Sequence, residues 1–600
     1  MARLGGMWSP LLLGSRRGPG GATFRVWAPN ATAVSVSLRS SLRSLPMTSV
    51  TGGYWQLEVP GIGHGEHYQY AIQSGGTWLT PRLDPYAREI DDVNGDRQAV
   101  VYEETVFDWG KSDHQPPGLA DLVIYEMHVG TFNELPGQQV GTFADAILKL
   151  PYLARLGINA VELLPPSQFD GTLSWGYNPT DPFAVETVYG GPDALKRFIR
   201  FAHDLGIGVI IDVVYNHMGT VDNDLWDFDG NIPPPGGIYF YPDWRGSTPW
   251  GSRPDYGRPE VRQYLVDNAL AWLEDYRADG LRLDATAWIR SVDGSGVAEQ
   301  TLPDGWLLLQ MINDAIARNQ PEKIRIAEDM RNDGQITSPT ASGGAGFNSQ
   351  WDPDFVRVVR RAMDQARDED RDMSAICRVL ERRYDGDAFS RVVFTESHDA
   401  DSNGGTRVPA EIDPAQPDSV FAKKRSVLGA ALVFTAPGVP MVFQGQELLE
   451  AHWFDSGFPV DWSNTSRYPG IFNLYRDLIR LRRNLLNTTR GLQGQGLHVH
   501  HVNNADKLIG FRRWDNAGPL DETVVLVNFA NRAFDSYTIG VPRAGMWQVR
   551  LNTDWAGYDP AFGNQLSLDS MASAVPCDGL PLSVQVGIGA YAALVLSQDD

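Results

Sequence analysis

The chain has little of what would tie it to nucleic acid, to a membrane or to an oxidising compartment. Lys and Arg number 51 against 74 Asp and Glu, a formal net charge of −23. A nucleic-acid partner needs a Lys/Arg footprint along the phosphates, so none is expected. The sign of the charge bears mainly on solubility, and a neutral substrate is not repelled by it. The only cysteines, Cys377 and Cys577, form neither a CxxC spacing nor a disulfide framework, which fits a reducing, cytoplasmic setting. No stretch approaches the roughly 20 apolar residues of a membrane span. The Leu11-Leu12-Leu13 run is too short for the core of a secretory leader.

What is present is length and aromatic content. Six hundred residues exceed one ordinary core, so several domains are expected. Hydrophobic residues at 42% and charged residues at 21% are ordinary for a globular protein. The 18 Trp suit stacking on sugar rings, and they equally suit large cores.

The patterning changes twice along the chain. Residues 1 to about 110 read as an all-β module. Thr23-Phe24-Arg25-Val26-Trp27-Ala28-Pro29-Asn30 runs from strand into turn, and Val34–Leu38 and Tyr68–Ile72 alternate with period two. Asp84-Pro85-Tyr86-Ala87 and the stretch at 112–118 read as an extended linker. From about 119 to 490 strands alternate with helices, the pattern of an α/β fold with a parallel sheet. Leu122–His128 and Ile158–Leu164 are its first two strands. Pro192–Leu205 is a helix with Leu195, Phe198, Ile199, Ala202 and Leu205 on one face. The segment from about 218 to 258 is rich in Gly, Pro, Asp and aromatics and too long for a plain connection, so it reads as a small inserted domain. From about 495 to 600 β patterning returns, with strands at Lys507–Phe511 and Thr523–Phe529.

Four strand ends carry the chemistry. Gly280-Leu281-Arg282-Leu283-Asp284-Ala285 alternates so that Arg282 and Asp284 share a face. Burying them is costly unless they are paired. An Arg–Asp pair of this kind marks a functional site or a plain ion-pair network. Three similar segments surround it. Val209–His217 ends in Asp212, Asn216 and His217, Ile324–Asp329 ends in Glu328 and Asp329, and Val392–Asp399 ends in His398 and Asp399. Phe347–Trp351 and Pro440–Gly445 supply the sixth and eighth strands. Polar groups at the C-terminal ends of successive parallel strands are the layout of a (β/α)8 TIM barrel active site.

In order, spacing and residue type these four segments resemble the signature regions of glycoside hydrolase family 13, the α-amylase family, and the resemblance runs through nearly the whole chain. It implies a catalytic barrel between an N-terminal β-sandwich, resembled by Phe24-Arg25-Val26-Trp27-Ala28-Pro29-Asn30, and a C-terminal β-sandwich. It also implies roles for matching positions. Asp284 is the nucleophile, Glu328 the acid/base and Asp399 a third carboxylate stabilising the oxocarbenium-like state. His217 and His398 hydrogen-bond sugar hydroxyls, and Tyr177, in Trp175-Gly176-Tyr177-Asn178-Pro179, stacks on a sugar ring. Arg282 supports Asp284 by opposite charge. Asp212 is either a substrate-side carboxylate or purely a partner of Arg282, and Tyr177 either a sugar platform or core packing. Trp175, Trp250, Trp351, Trp453 and Phe454 are further candidates for sugar subsites. Asn216 matches a calcium ligand of many members, but the sequence does not place the remaining ligands, so no metal and no cofactor is assigned. Asp329 and Glu396 point the other way along their strands and are expected to support the site from behind.

The family resemblance implies an α-1,4-glucan as partner, such as amylose, glycogen or maltooligosaccharides. Three readings of the reaction remain. The N-terminal module, Gln444-Gly445-Gln446-Glu447 with Trp453-Phe454, and Tyr537–Gly545 resemble 1,4-α-glucan branching enzymes, implying transfer from an α-1,4 to an α-1,6 link. Asp329-Met330-Arg331 and Ala400 depart from the Glu-Ser-Thr-like run and the Glu usual there. A hydrolase, either an α-amylase or a maltooligosyltrehalose trehalohydrolase, is the alternative. An inactive glucan-binding protein is the third.

Overall fold

Eight short parallel strands close on themselves in the computed structural model, Ile124–Met127, Ala160–Leu163, Gly208–Val213, Gly280–Leu283, Ile324–Ala327, Ser349–Trp351, Arg391–Val393 and Val439–Phe443, the first to eighth barrel strands. The first pairs with the eighth, Ile124 opposite Met441. The structure describes residues 13–18, 20–111, 113–221 and 223–599, so of the Leu11–Leu13 run only Leu13 is included.

Period-two alternation divides each strand between two environments. Tyr125, Met127, Val161, Leu163, Ile211, Leu281 and Leu283 face outward into the large core shared with the helices. Ile124, Ala160, Ile210, Ile326, Val392 and Met441 form a separate apolar cluster inside the barrel. Two residues further along their strands, Glu126, Glu162 and Asp212 take the place of Ile124, Ala160 and Ile210, and Arg282 joins them from the fourth strand, all buried. The interior thus changes from hydrocarbon to charge in one layer, at the end where barrel active sites are built.

The expected helix at 192–205 runs Gly191–Asp204, with Pro192 in its first turn and Leu195, Phe198, Ile199 and Ala202 buried. Leu205 lies beyond the last turn and is 36% exposed, so it does not belong to the apolar face. An antiparallel pair, Ser167–Phe169 with Pro179–Val185, is an addition to the plain alternation and leaves Trp175 and Tyr177 on the connecting loop. The insert at 218–258 has almost no regular structure. Isolated bridges, Met218 to Ser252 and Phe240 to Pro254, join its ends. Fully buried Arg253 donates to the carbonyls of Trp288 and Val292 at 3.1 and 2.8 Å, which fastens the insert to the short helix Thr286–Arg290 after the fourth strand and to the residues that follow it.

Before the barrel, one sheet orders Gly14–Gly18, Gly21–Trp27, Tyr54–Pro60 and Thr48–Val50, and another is built around Ala31–Leu38 and His67–Ser74. After it, strands from Gly496–Asn503 to Ala592–Ser597 form a six-stranded sheet beside a two-stranded one. No helix of the described residues is long and apolar enough to cross a membrane.

Candidate active site

Arg282 is the hub. Its guanidinium, wholly buried, donates to Asp212 Oδ2 at 2.7 Å and to Asp284 Oδ1 at 2.8 Å, and its Nη2 lies 3.9 Å from Glu328 Oε2. One cation therefore holds three carboxyl groups from the third, fourth and fifth strands close together. Its Cζ sits 4.5 Å from the centre of the Trp351 ring, a desolvated cation–π contact of about 2 kcal/mol. The other oxygen of Asp284 accepts from Asn216 Nδ2 at 2.7 Å, so both carboxylate oxygens are held by donors.

The backbone reverses immediately after Asp284. Ala285 has a φ of +40°, left-handed for a residue with a side chain, and such strain costs of order 1 kcal/mol. The turn aims the Ala285 N–H at Glu328 Oε2, 2.6 Å away. Burial pushes the Glu328 carboxyl up to about 8, with Asp284 and Asp399 adding to it and Arg282 and the Ala285 N–H opposing it. Asp212 is likewise raised by burial, to about 6, against the pull of Arg282. A carboxyl that keeps its proton at neutral pH beside one fixed by a guanidinium is the division of labour that acid-assisted glycoside cleavage needs.

These groups open into a cleft of about 340 Å3 bordered by Asp284, Glu328, Asp399, Trp175 and Tyr177. Asp399, whose side chain is 55% exposed, reaches in from after the seventh strand. Tyr177 donates its hydroxyl to Asp212 at 2.5 Å and stacks on His398 at 4.9 Å and 17°. His217 is on the cleft wall with both ring nitrogens engaged, Nδ1 by Asn216 and Nε2 by the Tyr177 carbonyl at 2.7 Å, rather than turned to a sugar hydroxyl. Trp250, from the insert, also lines the cleft and is 48% exposed. A larger depression of about 1060 Å3 outside the helix ring, beside Tyr152 and Trp462, has no carboxyl group in its lining.

Two aromatic candidates belong elsewhere. Trp351 is 1% exposed and lies beneath Arg282 inside the barrel, out of reach of a sugar. Phe454, 2% exposed, backs Trp175 at 5.2 Å between ring centres. Trp453 remains 46% exposed. Asp329 forms a bidentate pair with Arg290 at 2.9 and 2.8 Å, and Glu396 pairs with Arg407 at 3.0 Å, both supporting the loops from behind. Trp288 and Asn403 line the cleft without having been singled out in the sequence, and Met330 and Arg331, noted there only as a departure from the branching-enzyme run, line it too. Each follows a chemistry-bearing segment, and that position was the only signal.

Among the described residues one group has the composition of a metal site, His114, His203 and Asp279, with ligand atoms within 4.8 Å of one another. The two imidazoles stack at 4.3 Å and 13°, so their lone pairs run side by side instead of converging. The Lys323 ammonium, 3.6 Å from Asp279, already neutralises the carboxylate. The cluster fastens the linker to the N-terminal end of the barrel, away from the cleft. Asn216 spends its amide on Asp284 and His217.

Comparison with known proteins agrees with this architecture. The chain matches carbohydrate-binding module 48 (isoamylase N-terminal domain) over residues 12–87, the α-amylase catalytic domain over 126–229 and the α-amylase C-terminal all-β domain over 498–599. The catalytic-domain match takes in Asp212 and His217 and ends before Asp284. The 1,4-alpha-glucan branching enzyme GlgB of Rubrobacter xylanophilus is 30% identical over 96% of this chain and 81% of its own. The malto-oligosyltrehalose trehalohydrolase of Arthrobacter ramosus is also 30% identical, over 77% of this chain and 87% of its own. The pullulanase of Paenibacillus barengoltzii, solved with maltohexaose and α-cyclodextrin, superposes with a TM-score of 0.75 at 21% identity, covering 98% of this chain and 95% of that one.

Proposed function

We infer the reaction from family and site together: the chain belongs to glycoside hydrolase family 13, the α-amylase family, and is an α-glucan-active enzyme. The proposed reaction is cleavage of an α-1,4-glucan with retention, followed by transfer of the cut chain to a glucan hydroxyl as an α-1,6 branch. Asp284, its two oxygens held by Arg282 and Asn216, attacks the anomeric carbon. Glu328 gives its proton to the departing glycosidic oxygen, leaving a glycosyl ester on Asp284. In the second half Glu328 takes the proton of the incoming hydroxyl and the ester breaks. Asp399 and His398 hold sugar hydroxyls around the oxocarbenium-like state, and Tyr177 and Trp175 offer ring faces to the pyranose.

What carries the cleavage step is Glu328, raised to about 8 beside an Asp284 tied to the same guanidinium. Support for transfer over hydrolysis comes from the branching-enzyme relative, matched over 96% of this chain. A second reading, hydrolysis of maltooligosyltrehalose, is supported by an equally identical trehalohydrolase and by Asp329-Met330-Arg331 and Ala400, which depart from the run usual in branching enzymes.

Incubation with amylose separates these. Transfer predicts loss of iodine colour while reducing ends rise little at first, with new α-1,6 signals by NMR. Reducing ends rising in step with colour loss, without α-1,6 links, would reject branching. Free trehalose released from maltooligosyltrehalose would establish the second reading.

A further inference from the structure

Glu126 has no part in the reaction as drawn, yet it makes the shortest contact to a side chain of the site from the first barrel strand. It is 1% exposed, on the inward face of that strand. Its Oε1 lies 2.6 Å from His398 Nδ1, and its Oε2 accepts the His398 backbone N–H at 3.0 Å. The two contacts fix both the ring and the peptide that carries it. With Nδ1 turned inward, Nε2 is left toward Asp399, 3.5 Å from its Oδ1, at the cleft. We infer that Glu126 is a positioning residue: it clamps His398 and keeps it cationic, so that Nε2–H is presented as a charged donor between Asp399 and the sugar.

The surroundings leave His398 little other choice of orientation. Tyr177 covers one face of the imidazole, and Trp351 and Trp175 approach it edge-on with ring centres at 6.1 and 6.3 Å. The charged and titratable groups around it come from every neighbouring strand. On the first strand's end is His128, held neutral by burial at about 4 and bonded to Thr131. On the second is Glu162, register partner of Glu126, whose carboxyl burial and the Glu126 charge push well up. The third and fourth carry Asp212 and Arg282, tied to each other, with Asp284 beyond, and the fifth carries Glu328. Glu396, two residues before His398, is taken up by Arg407. The carboxyl groups that meet the two ring nitrogens are those of Glu126 and Asp399. Burial alone would lower the imidazole, but Asp399 and Glu126 outweigh it and raise it to about 9. Removing Glu126 leaves burial and Arg282 opposed by Asp399 alone, a carboxylate more than half exposed and therefore screened.

The inference rests on His398 touching sugar, part of the proposed function, and its test is separable from that reading. In the full-length protein, the His398 ring nitrogens are followed by NMR against pH in the wild type, Glu126→Gln and Glu126→Asp, beside kcat/KM on amylose. The wild-type imidazole should keep both N–H protons past pH 8. In Glu126→Gln it should titrate within the neutral range, and the alkaline limb of kcat/KM should move down by about one pH unit or more. Glu126→Asp, which keeps the charge on a shorter arm, should lose kcat while the limb stays in place. An equal loss at every pH with unchanged titration would overturn the inference, as would a neutral His398 in the wild type at pH 7.5, a result that stands even if Glu126→Gln does not fold. Activity surviving in Asp284→Asn would instead overturn the proposed mechanism while leaving the protonation measurement standing.

Discussion

Residue by residue, the account depends on a division between a carboxylate fixed by Arg282 and a buried carboxyl raised to about 8. Asp284→Asn should fold, bind glucan and lose about 10^4-fold or more in kcat, because the covalent route is removed entirely. Activity within about tenfold of wild type, about 1.4 kcal/mol in barrier, would reject Asp284 as nucleophile. Glu328→Gln should slow natural glucans far more than substrates with a good leaving group, since only the former need the proton. Equal losses on both would reject the acid role. The pH profile follows with its sign: Glu328 works protonated and its carboxyl is raised to about 8, so kcat/KM should hold through neutrality and fall as pH rises through about 8. A limb near 4 to 5, the range of an unperturbed Glu, would mean that the burial has no functional effect. Asp212, Asp284, Glu328 and Asp399 were legible in the sequence because charges at the ends of apolar strands are costly and need a reason. Glu126 and Glu162 were not, although each sits inside an apolar strand. A lone carboxylate has no partner in its own segment, and His398 is far away in the chain.

At the level of strands and loops, alternation told which residues share a face but not which face looks into the barrel. Trp351 shows the limit. Its place at the end of the sixth strand suited a sugar platform, whereas the structure buries it under Arg282, where an aromatic face balances a cation. Trp453, on the loop after the eighth strand, is the exposed counterpart. The two should separate cleanly under mutation. Trp351→Ala should destabilise the protein by about 3–5 kcal/mol through the cavity left behind. Trp453→Ala should change stability by no more than about 0.5 kcal/mol while raising the acceptor glucan concentration needed for transfer. Denaturant unfolding and acceptor-dependence kinetics on both variants check this, and a Trp351→Ala protein of wild-type stability would contradict the packing. The expectation of a small inserted domain at 218–258 rested on length and composition alone. With side-chain anchors such as Arg253 in place of regular structure, the segment left no periodicity to read.

For the whole molecule, the three-module plan was legible because the period of the hydrophobic pattern changes where the architecture changes, from two to a strand–helix alternation and back. The choice between water and a second glucan as acceptor was not. It lies in the outer aromatic and polar groups of the cleft, whose positions depend on loops from the second strand, the insert and the eighth strand meeting in space. What all the readings with a working site share is a glycosyl group held covalently on the fourth strand. The measurement that tests this most directly is trapping. Glu328→Gln incubated with an α-maltosyl fluoride, which leaves without acid help, should accumulate the intermediate, because the second half of the reaction still needs the missing base. Mass spectrometry of the digested protein should then find the added glycosyl mass on the peptide containing Asp284. A glycosyl group found on another residue, or fluoride released in a burst with no adduct anywhere on the chain, would contradict the account.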